Sequence, residues 1–357
     1  MRSALMCALS CVLAANAAAQ ERQVTFEEQK AATISGFAVG LAQYDRNLGR
    51  NTAGATKFAL SVFRPWSDNV YFFGQLTTHV AQHDTTPPHT HVEIDNLIVN
   101  WTPPGASAVN VAFGRFDAPI GFERDDEPLN LIPTESFNFE IARPAKLTGA
   151  MVRYAMSPRA TLGVFAANGW DQELDNNSGK TAGARLQLFP TEGAALAVNA
   201  LYGPEADGTN AGQRMLLTAD ATLQPVARLI VGLEANHGSQ RAAGTGLKWT
   251  GALATVFWRF GRTVGLTVRG EVLDDPDGAV TGTAQTLRSL TVSPWYFYRE
   301  AQEGVFSSIE NTSFRLPAFA IRPAIRFDGS TQPFFEDAGG GLRRSNVSAV
   351  VELVYVF

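Results

Sequence analysis

The sequence predicts an all-β fold, a single transmembrane antiparallel β-barrel of about 16 strands, and three observations support this prediction. Apolar and polar residues alternate over segments of roughly nine to thirteen residues, about the length that a tilted strand needs to cross a bilayer. The connections between these segments are alternately short and long, as in transmembrane barrels. The first residues of the chain have the form of an export signal.

The composition excludes several classes of protein. Of the 357 residues, 45% are hydrophobic and only 18% are charged, and the formal net charge is −5. A disordered chain has the opposite balance, and a nucleic-acid-binding chain is usually basic, so we expect no nucleic-acid partner. The 32 glycines and 23 phenylalanines suit β-structure better than a helix bundle.

Residues 1–19 are predicted to be a secretory signal peptide. They begin with a positive charge at Arg2, continue with an apolar run and end in three alanines, the small-residue pattern of a cleavage site. Both cysteines, Cys7 and Cys11, fall inside this segment. Zinc-finger and thiol chemistry are therefore excluded from residues 20–357, which we expect to form one barrel domain.

Each predicted strand has an apolar face and a polar face. In residues 263–272, Val264 and Leu266 alternate with Thr267 and Arg269, so Leu266 is expected to face lipid and Thr267 the lumen. An arginine is accordingly expected to be harmful at Leu266 and nearly neutral at Thr267. The predicted strands are 33–45, 57–66, 70–82, 91–101, 109–121, 148–157, 160–171, 181–189, 194–205, 213–224, 227–238, 248–260, 263–274, 287–297, 319–328 and 346–357.

The alternation of short and long connections fails once. Residues 298–318 occupy the place of a short turn but are much longer. Either a further hairpin there raises the strand count to 18, or the turn contains an insertion, and the sequence leaves both open.

Two segments resemble a known family. Residues 114–123 read Gly-Arg-Phe-Asp-Ala-Pro-Ile-Gly-Phe-Glu, and residues 168–171 read Asn-Gly-Trp-Asp, followed by the polar segment 175–181. Both resemble segments of the putative beta-barrel porin-2 family. The resemblance implies a bacterial outer-membrane barrel that is expected to form a pore, and Trp170 is expected in the aromatic girdle at the lipid headgroups.

The last predicted strand, 346–357, alternates in polarity and ends in Phe357. A final amphipathic strand with a terminal Phe resembles the sorting signal of bacterial outer-membrane barrels. The resemblance implies that the outer-membrane assembly machinery recognises Phe357.

The long loop at residues 122–147 holds the candidates for a pore constriction. In sixteen-stranded porins, which the chain resembles in strand count, the loop at this position folds inward, and charged side chains in a narrow pore select among ions. The alternative is an exposed lid with scattered charges. The candidate residues are Arg124, Asp125, Asp126, Glu127, Glu135, Glu140 and Arg143.

Charged residues on the polar faces of the strands are predicted to line the lumen. They are Arg153, Arg185, Arg228, Arg269, Glu271, Arg322 and Arg326, opposite the acidic residues Asp220, Glu234 and Glu352. Both signs are present, so no ion preference is predicted.

A weaker signal is a histidine cluster. His79, His83 and His91 fall on the third and fourth predicted strands with Asp95, and a hairpin centred on Pro87 would set His79 opposite Asp95 and His83 opposite His91. Imidazole and carboxylate groups on adjacent strands suit a divalent transition metal. The alternative is a set of histidines in a polar, hydrated barrel mouth.

These observations predict a porin of the bacterial outer membrane that passes small polar solutes by diffusion. Its barrel is expected to be surrounded by the lipid bilayer, and a homo-oligomer is one expected assembly. We expect no cofactor and no enzymatic activity, because the sequence contains neither G-x-S-x-G nor H-E-x-x-H. One alternative is a structural or adhesive barrel without an open pore. The other is an outer-membrane hydrolase with a serine beside His79 or His237.

Overall fold

The computed structural model describes residues 31–80, 90–242, 244–301, 306 and 308–357. Within these residues, 16 antiparallel strands form one closed barrel, which confirms the predicted fold class. The predicted signal peptide lies outside the described residues. The barrel strands are β1 (Thr33–Asp45), β2 (Arg50–Ser67), β3 (Val70–Val80), β4 (Thr90–Trp101), β5 (Val109–Asp117), β6 (Lys146–Ser157), β7 (Ala160–Ala167), β8 (Thr181–Thr191), β9 (Ala194–Pro204), β10 (Gln213–Val226), β11 (Leu229–Ala242), β12 (Thr245–Arg259), β13 (Val264–Asp275), β14 (Gln285–Glu300), β15 (Pro317–Ser330) and β18 (Ser345–Val356).

The barrel closes where the first strand meets the last. β1 pairs with β2 on one side and with β18 on the other, with Phe37 opposite Val356. Closure leaves no strand edge with unpaired backbone groups, which a lipid environment requires. No helix in the described part of the chain is long and apolar enough to span a membrane.

The wall has an apolar outer face and a polar inner face. On β13, Thr267 and Arg269 are buried inside the barrel, whereas Val264 and Val272 are exposed on the outside. Because successive side chains in a strand point to opposite faces, this alternation follows directly from the sequence. Exposed outer aromatic residues near one end of the barrel form part of a girdle typical of a membrane interface: Trp66, Trp101, Trp258 and Tyr298.

The two ends of the barrel differ in their connections. We call the end with the connections 68–69, 158–159 and 227–228 the turn end, and the end with the longer connections the loop end. The predicted start of the second strand at residue 57, which left 46–56 as a long connection, is wrong, because β2 begins at Arg50 and continues the hairpin with β1. The pairing there extends the wall beyond the length that a bilayer requires.

Residues 298–318 add no further hairpin to the barrel, so the long connection there is an insertion. β14 runs to Glu300 and β15 begins at Pro317, and the described residues between them pack against the inner wall from the turn end. Phe306 packs edge-on against Phe37 of β1 with ring centroids 4.9 Å apart. Five strands away around the barrel, Phe314 packs against Phe257 of β12, with ring centroids 5.0 Å apart. The strand count is therefore 16 in the barrel.

A small hairpin covers the loop end. β16 (Phe335–Glu336) pairs with β17 (Leu342–Arg343) in the connection between β15 and β18. Phe335 lies 6.3 Å from Phe137, ring centroid to ring centroid. Phe137 belongs to the connection between β5 and β6, so the hairpin packs on that connection from the loop end.

Candidate functional site

The connection between β5 and β6, residues 118–145, folds into the lumen, and we call it the inward loop. It contains one turn of 3-10 helix, Glu127–Leu129, and a short helix α1, Phe137–Glu140. Ser136 begins α1 by accepting a hydrogen bond from the backbone nitrogen of Phe139, as N-cap residues do. Gly121 has φ +77°, and a Cβ there would lie 2.4 Å from an oxygen of Glu234. The entry of the loop into the lumen therefore requires glycine at this position.

Side chains of the wall hold the backbone carbonyls of the inward loop. Thr267 of β13 donates to the carbonyl of Leu131 at 2.6 Å, and the indole nitrogen of Trp295 donates to the same oxygen at 3.0 Å. Trp249 of β12 donates to the carbonyl of Ala142 at 3.0 Å. Thr267 and Trp249 have no exposed surface. These bonds satisfy loop carbonyls that would otherwise be buried without partners.

Three arginines of the inner wall donate to the same loop. Arg322 of β15 donates to the carbonyl of Glu127 at 3.0 Å, and Arg269 of β13 donates to the carbonyl of Glu135 at 3.0 Å. Arg326 also donates to the carbonyl of Glu135. The predicted lumen-facing arginines Arg269, Arg322 and Arg326 thus face inward, and their guanidinium groups are occupied by the loop backbone.

On other strands of the barrel, the loop contacts two lysines. Lys57 of β2 lies 3.1 Å from an oxygen of Glu127, and Lys146 at the start of β6 lies 3.0 Å from an oxygen of Asp125. Gln75 of β3 donates to Asp126 at 2.6 Å. The predicted constriction residues Asp125, Asp126 and Glu127 are therefore in contact with the wall.

These contacts shift the ionisation of loop carboxyl groups in different directions. Burial raises the pKa of Glu127 to about 7, although the Lys57 ammonium acts in the opposite sense. Burial, together with neighbouring carboxylates, raises the pKa of Glu135 to about 8. For Asp125, burial acts to raise the pKa, but the Lys146 and Lys57 ammonium groups outweigh it and hold the pKa below its ordinary value. Glu127 and Glu135 thus titrate near neutral pH, and burial also raises the pKa values of Asp126 and Glu140 above their ordinary range.

The remaining constriction candidates have separate surroundings. Arg124 lies 3.2 Å from Glu310, which belongs to the insertion from the turn end. Glu310 also accepts a hydrogen bond from Gln187 of β8 at 2.7 Å. Arg143 contacts Glu234 of the wall at 2.9 Å. Glu140, at the end of α1, is exposed within the loop end.

The other predicted lumen charges do not all face the lumen. Arg185 of β8 faces inward and contacts Asp220 at 2.9 Å, and Glu271 of β13 accepts a bond from Asn138 of the loop at 3.1 Å. Arg153 is 8% exposed and also faces inward. Arg228 is a correction: it lies exposed in the turn between β10 and β11, because β11 begins at Leu229.

The predicted pairing within the histidine cluster is also wrong. His79 lies opposite His91, and its ring nitrogen contacts Glu93 at 2.8 Å. The pairing of β3 with β4 shifts at Asp95, which contacts Lys146 at 2.5 Å. Among the described residues, no group of three or more potential ligand side chains converges on one point. His83 lies outside the described residues.

Several residues of the site were not predicted. Glu123 is 3% exposed, accepts from the backbone nitrogen of Ser136 at 3.1 Å and contacts Arg269. Its place beside Gly121 was the available signal, since a carboxylate next to the loop entry enters the lumen with it. Trp170 is a correction: it does not belong to an outer girdle but packs edge-on against the buried Trp249, with ring centroids 6.2 Å apart.

Comparisons with known proteins agree with this architecture. A family model described as putative beta-barrel porin-2, OmpL-like, matches residues 67–357. A search of curated protein sequences found no match. An anion-selective porin from Comamonas acidovorans is similar in structure, with a TM-score of 0.65 and 8% identity over 92% of this chain and 99% of that chain.

Two further solved structures are similar. OmpF of Salmonella typhi, in complex with daunomycin, gives a TM-score of 0.62 and 10% identity, covering 93% of this chain and 99% of that chain. OmpT, an outer membrane protein of Vibrio cholerae in a trimer form, gives 0.60 and 9% over 92% and 99%. At these identities the likeness concerns the fold.

Proposed function

Because the chain belongs to the putative beta-barrel porin-2, OmpL-like family, we propose that this outer-membrane barrel passes small polar solutes by passive diffusion. The inward loop is the narrowest part of the path in this proposal. The observation that carries it is the attachment of this loop, through residues such as Lys57, Trp249 and Arg322, to strands on several sides of the lumen. A loop held in this way sets the width and the charge of a path beside it.

Planar-bilayer recordings of the purified protein test this function. We expect stepwise, ohmic conductance increments, smaller than those of a variant in which residues 127–140 are replaced by a short Gly-Ser link. The variant widens the path because the loop segment attached to Arg322, Arg269 and Arg326 is removed. The control is gel electrophoresis with and without heating, in which a folded barrel shifts its mobility when it is heated. Absence of conductance in both proteins, when this shift shows that their barrels are folded, would contradict the proposal.

A second candidate is a structural or adhesive barrel without an open pore, and one observation favours it. The inward loop and the insertion from the turn end meet inside the barrel, where Arg124 contacts Glu310 at 3.2 Å. Segments entering from both ends leave less room for water than a single loop does. This candidate predicts no conductance in the intact protein and conductance only after the loop has been shortened.

The hydrolase alternative lacks such support. The partner observed for His79 is Glu93, and the partner observed for His237 is Thr250 at 3.0 Å. Neither of these contacts supplies a serine nucleophile. We accordingly propose no enzymatic activity, and lack of turnover with lipid and ester substrates is the expected result.

Two further proposals concern partners. β18 closes the barrel against β1, and Phe357 stacks at 6.0 Å on both Phe58 and Tyr355 on the outer surface, which supports recognition of Phe357 by the outer-membrane assembly machinery. The trimer form of the OmpT neighbour supports a homo-oligomer. Deletion of Phe357 with fractionation tests the first, and light scattering of the detergent-solubilised protein tests the second.

A further inference from the structure

Arg153 faces the lumen from β6 without an acidic partner. Its side chain is 8% exposed, and its one hydrogen bond within the described part of the chain is a 3.5 Å contact from Nε to the sulfur of Met151. The other arginines that face the lumen from the strands and were predicted from the sequence all form ion pairs with carboxylates: Arg185, Arg269, Arg322 and Arg326. Arg153 is therefore a cation of the inner wall that forms no ion pair with a carboxylate of the described residues.

The carboxylate of the turn-end insertion does not fill this role. Glu310 accepts from Gln187 at 2.7 Å through one oxygen and from Arg124 at 3.2 Å through the other. Both oxygens thus contact groups other than Arg153, and Glu310 attracts Arg153 only across a longer distance, without a direct contact.

Two polar side chains near Arg153 also have atoms without hydrogen-bond partners among the described residues. Asn110 of β5 lies directly opposite Arg153 in the strand pairing, is 6% exposed, and has no hydrogen-bond partner at either amide atom within the described residues. Thr161 of β7 is 6% exposed, and its hydroxyl likewise has no partner there. Gly163 lies opposite Arg153 on the other side and separates it from Arg185, so no side chain fills the wall between the two guanidinium groups.

We propose that Arg153, with the amide of Asn110 and the hydroxyl of Thr161, binds an oxyanion group, a carboxylate or a phosphate, of a small solute in the turn-end half of the lumen. A buried charge without a partner is costly, and a bound anion removes that cost. The planar guanidinium donates two parallel hydrogen bonds to such a group, and the amide and hydroxyl add neutral donors beside it. This site rests on the proposed function and adds to it a class of solute, those that carry an oxyanion group. It requires that water and solute reach the lumen from the turn end.

The test is ligand-dependent stability of the purified barrel in detergent. The unfolding midpoint is followed as inorganic phosphate, or separately acetate, replaces chloride at constant ionic strength. A ligand that binds only the folded barrel raises the midpoint with its concentration. We expect a saturable rise for the natural protein, with a half-saturating concentration about tenfold or more higher in Arg153→Gln, the usual loss for a charge-assisted hydrogen bond. If phosphate has the lower half-saturating concentration, the site prefers a phosphate group, and if acetate has the lower one, it prefers a carboxylate.

A matched control is Arg228→Gln, which removes the same charge at the same end of the barrel from an exposed turn outside the lumen. It should bind as the natural protein does. Asn110→Ala and Thr161→Val should each weaken binding without changing the charge, which separates a local site from an effect of net charge. A midpoint independent of both oxyanions, or an equal rise in Arg153→Gln, would overturn the site.

The same proteins in planar bilayers separate this inference from the proposed function. If the natural protein conducts but Arg153→Gln does not change its stabilisation by oxyanions, the proposed pore stands and the proposed oxyanion site is overturned. If oxyanions stabilise the protein through Arg153 but it does not conduct, the site stands and the pore is overturned.

Discussion

Arg143 of the inward loop and Glu234 of β11 form an ion pair with a distance of 2.9 Å between Nε and Oε1, although they are 91 residues apart in the chain. Their side chains are 1% and 0% exposed. The second oxygen of Glu234 accepts from the backbone nitrogen of Phe122 at 2.8 Å. Phe122 and Arg143 lie near opposite ends of the loop. One carboxylate of the wall, that of Glu234, therefore binds both the entering and the leaving segment of the loop.

Removing that carboxylate charge is expected to destabilise the barrel. Glu234→Gln keeps the shape of the side chain but leaves the Arg143 guanidinium buried without a counter-charge, which costs about 3–5 kcal/mol. The measurement is urea unfolding of the protein in vesicles, followed by tryptophan fluorescence. Asp175→Asn, which breaks the pair of Asp175 with the half-exposed Lys180, is the control and should leave the midpoint unchanged. A midpoint of Glu234→Gln equal to that of the natural protein would count against the role of this pair.

The entry of the loop into the lumen is expected to require glycine. Gly121→Ala introduces a Cβ 2.4 Å from a Glu234 oxygen at a positive φ, whereas Gly208→Ala meets the same backbone strain with no atom within 4 Å. The shared strain costs about 1–2 kcal/mol. We expect Gly121→Ala to lower the unfolding midpoint further than Gly208→Ala and to change single-channel conductance, which Gly208→Ala should leave unaltered. Equal effects of the two variants would show that the clash is absent.

An arginine on the lipid face should be more harmful than one on the lumen face. The pair Leu266 and Thr267, expected from the sequence, does not isolate this effect, because Thr267 is fully buried and bonded to the carbonyl of Leu131. Leu233 of β11 faces outward between Ala221 and Ala254, and Thr222 of β10 faces inward. Leu233→Arg should cost about 2–4 kcal/mol near the bilayer midplane, and Thr222→Arg should be nearly neutral in the same unfolding measurement. Comparable losses would mean that both faces are closely packed.

Ion selectivity should depend on pH near neutrality. The pKa values of Glu127 and Glu135 are raised to about 7 and about 8, so both carboxyl groups are neutral at low pH and become negative as the pH rises through this range. The ratio of cation to anion permeability, from reversal potentials in asymmetric salt, should therefore increase from about pH 6 to about pH 9.

The stability of the barrel should change in the opposite sense over the same range. The unfolded chain ionises these groups near the ordinary value of 4.5, so the folded protein binds more protons between that value and the raised pKa. Stability is then lost as the pH rises through the raised pKa values. The double variant Glu127→Gln, Glu135→Gln should reduce the dependence of selectivity on pH, and a slope equal to that of the natural protein would exclude these two groups as its source.

The wall could be predicted from the sequence because it depends on local alternation. Val264 and Arg269 differ in parity along β13, and parity alone assigns them to opposite faces. The prediction fails where a bulge changes the parity. At Asp95 and Asn96 the pairing shifts, so Ile98, which shares its parity with the outward Ile94, is 2% exposed on the inside. No residue type in this stretch indicates the extra residue.

The site could be predicted only in part. The resemblance to porins indicated an inward loop, and the sequence supplied its charged residues. The partners could not be predicted, because Lys57, Glu234 and Arg322 lie on strands distant in sequence, and their meeting with the loop depends on barrel register and on the loop path. The insertion before β15 was recognisable by its length, but nothing local indicated that Glu310 would reach Arg124 inside the barrel.

The separation in sequence between the inward loop and the groups that hold it has a kinetic consequence. Most of the groups that hold the loop lie after it in the chain: Glu234, Trp249, Thr267, Arg269, Trp295 and Arg322. Until β11 to β15 have joined the wall, the loop backbone is bonded to water and must lose that hydration later. Contacts of such large sequence separation form slowly. We therefore expect docking of the loop, together with the meeting of β1 and β18, to limit the rate at which the barrel matures.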